Sequence, residues 1–83
     1  MKIATIQLMD GDDVDRVCNI ANTYHYDIDA VSPRYIVDAK SFLGLLGIMG
    51  CPIDIHMHSD SQQQMKSLLT ELTPWITTPN FAE

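Results

Sequence analysis

Val37-Asp38-Ala39-Lys40-Ser41-Phe42-Leu43-Gly44-Leu45-Leu46 holds the sharpest change of pattern in this chain. A short strand-like run ends here and a short apolar helix begins within a few residues, with Ser41 at the boundary. A serine in that place accepts a hydrogen bond from one of the amides that the first helical turn leaves unpaired. The same exposed amides favour negative charge, phosphate included. The helix is expected to run from Phe42 to Met49, with Gly50 where a left-handed residue commonly ends one.

Upstream of this stretch, residues 2 to 8 alternate, Ala4, Ile6 and Leu8 against Thr5 and Gln7, which is the period of a half-buried strand. Met9-Asp10-Gly11-Asp12 breaks the alternation. Val14, Val17, Cys18, Ala21 and Tyr24 then recur at three- and four-residue spacing, predicting a helix of about three turns with Asp12, Asp13 and Asp15 near its positive end. Tyr26, Ile28 and Ala30 alternate with their neighbours as a second strand, and Ser32-Pro33-Arg34 turns the chain into a third, Tyr35 to Asp38.

Downstream, Ile53, Ile55 and Met57 line one face of a fourth strand, with Asp54, His56 and His58 opposite. Asp60 with Gln63 reads as a capping box, and Met65, Leu68, Leu69, Leu72, Trp75 and Ile76 keep helical spacing through a last helix that Pro74 tightens or ends. The expected organisation is one domain over residues 1–76 followed by a loose polar tail, 77–83. Three one-faced helices and four alternating strands make an α+β fold, most economically an antiparallel sheet with all helices on one face. A ferredoxin-like split arrangement has nearly the same element order, so periodicity alone leaves two sheet topologies open.

The chain has 83 residues, enough for one core shared by every element and not for two. No run approaches the roughly 18 apolar residues of a membrane span. Met1-Lys2 leads into a segment too short and too polar for a secretory core, so a cytoplasmic protein is expected. Eleven acidic residues against five basic ones give a net charge of −6. That balance makes nucleic acid a poor partner and suits a basic protein surface better. Cys18 and Cys51 match no metal or redox spacing and read as reduced, packed thiols.

The Ala39-Lys40-Ser41 run, followed by apolar residues with Gly44 among them, resembles the histidine-containing phosphocarrier (HPr) family of the bacterial sugar phosphotransferase system. With the order of elements, the resemblance extends over residues 1–76. It implies a βαββαβα open-faced sandwich: a four-stranded antiparallel sheet with three helices on one face. The family's phosphate-carrying histidine lies in a Gly-x-His-x-Arg-Pro loop before the first helix. This chain has Gly11-Asp12-Asp13-Val14-Asp15-Arg16 there instead. Three carboxylates would repel a phosphoryl group. Arg16 reads as a solvated partner of those aspartates, and no residue is assigned to catalysis.

In both the retained serine and the missing histidine the chain resembles the catabolite-repression variant of HPr. That likeness implies Ser41 as a candidate for regulatory phosphorylation, beside its plainer reading as a helix cap. It also implies Phe42, Leu43 and Leu46 as an apolar patch for protein partners: a phosphotransferase-system enzyme, a kinase or a transcription regulator. A helix this short leaves at least Leu43 in solvent. Other readings stay open: a relocated phosphocarrier histidine at His25 or on the fourth strand, an aspartyl phosphate at Asp12 or Asp13 with Mg²⁺, and metal binding by Asp54, His56 and His58. Their plainer counterparts are surface histidines and helix-start acidity. No cofactor is expected.

Overall fold

In the computed structural model, which describes residues 1–79, five strands form a single antiparallel sheet in the order β3-β2-β4-β1-β5. The elements are β1 (Lys2–Ile6), α1 (Gly11–Ala21), β2 (Ile28–Val31), β3 (Ile36–Asp38), α2 (Phe42–Leu46), β4 (Ile53–Met57) and α3 (Gln62–Glu71). A single 3₁₀ turn, Thr73–Trp75, then leads into β5 (Ile76–Pro79). β1 and β2 both lie antiparallel to β4, so they run parallel to each other with β4 between them. α1 is the crossover that connects them. This order realises the open-faced sandwich.

Alternation decides which face is covered. Ala4, Ile6, Ile28, Ala30, Ile53, Ile55 and Met57 are buried toward the helices, while Thr5, Asp29, Val31, Asp54 and His56 are half-buried on the other face. Val14, Val17, Leu45, Met65 and Leu68 close the core from the helix side. Ile3 departs from the alternation. The register slips between Lys2 and Ala4, a bulge that turns Ile3 and Ala4 both inward, and each is fully buried.

Four expectations need correction. The sheet has five strands rather than four, because residues 76–79 pair with β1 (Ala4↔Pro79, Thr5↔Thr78, Ile6↔Ile76) instead of starting a loose tail. Ile76-Thr77-Thr78 is β-branched throughout, and Pro79 is tolerated on an edge strand. The last helix therefore does not reach Ile76; Pro74 lacks the amide that would continue it, and the chain tightens into the 3₁₀ turn. The remainder of the expected tail, 80–83, lies outside the described residues.

The cap of α3 is Ser61, whose hydroxyl accepts from the Gln64 amide at 3.2 Å, so no box forms between Asp60 and Gln63. Ser61 has the extended backbone that places a side-chain oxygen over the N3 amide. α2, lastly, ends at Leu46 rather than Met49, with Gly47 as its C-cap. Gly50 does take the positive φ, 90°, but three residues later, where its amide donates to the Leu8 carbonyl at 2.7 Å. That bond ties the exit from α2 to the end of β1.

Candidate functional site

The amino end of α1 is closed by its own carboxylates. Asp10 is the N-cap, its Oδ1 accepting from the Asp13 amide at 2.9 Å. Asp13 reaches back, Oδ2 accepting from the Met9 amide at 2.9 Å and Oδ1 from the Trp75 indole Nε1–H at 3.0 Å. The Met9 amide, then the Trp75 indole, hold the Asp13 carboxyl below its ordinary 3.8; desolvation opposes them, and the Arg16 charge and the Asp10 backbone amide assist. Arg16 is exposed and lines, with Gln7, Met9, Asp13 and residues 74–77, a surface cavity of about 430 Å³.

The amino end of α2 is closed by a neutral group. Ser41 Oγ accepts from the Gly44 amide at 3.1 Å, and the first turn has no acidic residue. The approach to Ser41 is held from α1: the Lys40 carbonyl accepts from Asn22 Nδ2 at 3.1 Å and from Cys18 Sγ at 3.4 Å. Lys40 Nζ in turn donates to the Tyr24 carbonyl at 2.7 Å, just past the end of α1. Burial, followed by the charge of Asp15, raises the Cys18 thiol above its ordinary value. Cys51 departs from the expected packed thiol: it is free and exposed, following directly on the glycine turn that leads into β4.

Two side chains dock α2, Leu45 fully and Leu46 in part. Leu45 is fully buried and Leu46 is half-buried against the core, while Phe42 is 41% and Leu43 78% exposed. Met9 and Met49 are exposed too, each beside a residue of the Leu8–Gly50 backbone bond. The backbone bond thus brings the segment after α2 next to the chain entering α1, each with an exposed methionine.

The histidines are elsewhere. His25 is exposed after α1, and His58 Nε2 meets Asp29 Oδ2 at 2.8 Å at the surface. His56 is half-buried on the open sheet face. Asp54 pairs with neither histidine: it accepts from Thr5 Oγ1 at 2.7 Å and faces Lys2 Nζ at 3.4 Å, and the Thr5 bond first, then Lys2, keep its carboxyl below 3.8. Asp54 and His58 thus meet different partners, Thr5 with Lys2 and Asp29, and His56 is in neither contact. Among the described residues, no three His, Cys, Asp or Glu side chains are grouped to hold a metal.

Two functional contacts were missed in the sequence. Asp10 followed by Asp13 is a capping spacing, and it could have been read there. The Trp75 contact with Asp13 joins positions 62 apart, and nothing local announces it.

No family model and no curated protein matches the chain. Solved structures do. The histidine-containing phosphocarrier protein of Mycoplasma superposes with a TM-score of 0.69 at 15% identity, covering 93% of this chain and 99% of its own. The fold is HPr-like. HPr-C-His of Thermoanaerobacter tengcongensis gives 0.64 at 16% identity over 87% of this chain and 84% of its own. A phosphocarrier protein HPr of Bacillus anthracis gives 0.61 at 22% over 81% and 90%. Likeness at these identities is one of fold. Among the described residues no helix is long and apolar enough to cross a membrane.

Proposed function

We propose that the chain is an HPr-fold protein-binding module of phosphotransferase-system descent that does not relay phosphate through histidine. It acts on protein partners of that system, an enzyme, a kinase or a regulator, through the Ser41-to-Leu46 surface. The observation that carries the first part is the start of α1. The Asp13 amide of that first turn is taken by Asp10, the Asp13 carboxylate reaches back to the Met9 amide beside it, and the three histidines lie elsewhere. Incubation with the general phosphotransferase enzyme and phosphoenolpyruvate leaves the protein unlabelled on this reading. Acid-labile phosphate, lost in a His25→Ala, His56→Ala or His58→Ala variant, would overturn it.

The exposure of Phe42 and Leu43 on a helix docked by Leu45 supports the second part. Ser41 is the modification site of that surface. A kinase would move the γ-phosphoryl of ATP to Ser41 Oγ, with ADP leaving and the hydroxyl proton passing to the kinase. The product adds roughly two negative charges at an end with no acid in its first turn. HPr kinase with ATP should therefore label the protein and leave Ser41→Ala unlabelled. Equal labelling of the two would remove this role.

A further inference from the structure

The apolar residues around α2 have an acidic border. Asp15 shares a flank of α1 with Cys18 and Asn22, the two residues that reach the Lys40 carbonyl. Asp12 lies one turn earlier on that flank, and Asp38 precedes α2, its Oδ1 accepting from the Lys40 amide at 2.9 Å. All three carboxylates are exposed, and none is in a side-chain hydrogen bond or ion pair with another residue's side chain among the described residues. Of the two cations nearby, Lys40 has its ammonium on the Tyr24 carbonyl, and Arg16, four residues after Asp12, is exposed and in no ion pair with these carboxylates among the described residues. Exposed Phe42 and Leu43 thus follow Asp38 within five residues, and exposed Met9 precedes Asp12 by three, on a chain of net charge −6.

We infer that this surface takes a cationic amphipathic segment of a partner protein, its apolar face on Phe42 and Leu43 and its Lys or Arg side chains on Asp12, Asp15 and Asp38. The inference rests on the docking role of α2 proposed above and adds the chemistry of the partner. Apolar contact supplies adhesion, and the acidic border sets orientation and selects against acidic partners. A second copy of this chain is disfavoured, because two such borders would meet with like charge.

The test uses the full chain, a synthetic amphipathic helical peptide with a leucine face and a lysine face, and its twin with glutamate for lysine. Amide shifts on titration should locate the lysine peptide at Met9 to Arg16 and Phe42 to Gly50, with the glutamate peptide inert. Asp12→Asn/Asp15→Asn should weaken binding roughly fivefold. Asp27→Asn/Asp60→Asn removes the same charge from exposed positions elsewhere and should leave affinity unchanged.

Equal loss in both double variants, or binding of the glutamate peptide at the same amides, overturns the cationic partner and leaves the docking surface standing. Shifts confined to the open sheet face, with Leu43→Ser without effect, overturn both. Concentration-dependent dimerisation through α2 in sedimentation makes the occupant a second copy and likewise overturns the inference.

Discussion

The amino ends of α1 and α2 meet the same electrostatic demand in opposite ways. Both expose unpaired amides, and both satisfy one with a side-chain oxygen three residues back. At α1 that oxygen is a carboxylate, a second carboxylate folds back beside it, and the Trp75 indole fixes the second in place. At α2 it is a hydroxyl with no acid in the first turn, and Asp38, ahead of the cap, has its carboxylate on the Lys40 amide. The first end is already occupied by the protein's own negative charge. The second has no acid in its first turn and adjoins the exposed Phe42 and Leu43. A fold shared with phosphocarriers thus has a neutralised end and an open one.

The two helices also differ in how firmly they are held, and this is where the largest effect is expected. α1 buries Val14, Val17, Cys18 and Ala21, whereas α2 buries Leu45 alone. Leu45→Ala should cost about 2–4 kcal/mol in chemical denaturation, within the range for a fully buried leucine. Leu43→Ala, two residues away and in solvent, should change stability by less than about 0.5 kcal/mol. Equal losses at the two positions would mean that α2 is not docked through Leu45 and that its outer face is not free.

Capping is the next test. Asp10→Ala should lower stability by about 1 kcal/mol. Ser41→Ala should lower it by about 0.5–1 kcal/mol, since a one-turn helix has less to lose when its cap goes. A Ser41→Asp variant should stay folded, because the α2 end accepts the charge. Unfolding of Ser41→Asp would contradict the description of that end as open.

Most of this framework is legible in the sequence, for a physical reason. Strict alternation at 53–57 and three-four spacing at 14–24 come from burial of one face, which local sequence records directly. Ser41 was legible because capping is local as well. What escaped depends on distant partners or on one-residue shifts. Ile3 turns inward only because the register with β4 slips. Residues 76–79 become a strand only because the edge of β1 is there to pair with, and Ser61 displaces Asp60 through its own backbone angles. In the site, the apolar helix was legible and the closure of α1 was not, since half of it comes from Trp75.

Acid should act on the α1 end and on the outer sheet face together. The folded protein holds Asp13 and Asp54 below the ordinary 3.8. On acidification the unfolded chain therefore takes up protons first. The stability these carboxylates contribute is present in full above 3.8 and is lost as pH falls through their lower folded values. Acid unfolding followed by Trp75 fluorescence should be shallower in Asp13→Asn than in the parent, and a Trp75→Phe variant followed by circular dichroism should show a smaller change in the same sense. An unchanged pH dependence in Asp13→Asn would mean that the carboxylate contributes nothing to closing the helix.

The central claim is that the Asp13 carboxylate, bound to the Met9 amide and the Trp75 indole, occupies the amino end of α1. Side-chain carboxyl and amide NMR through an acid titration measures this directly. The Asp13 carboxyl, the Met9 amide and the Trp75 indole N–H should titrate together with one midpoint below 3.8. An indole signal that stays still while Asp13 titrates at or above 3.8 would contradict the claim and leave that helix end free.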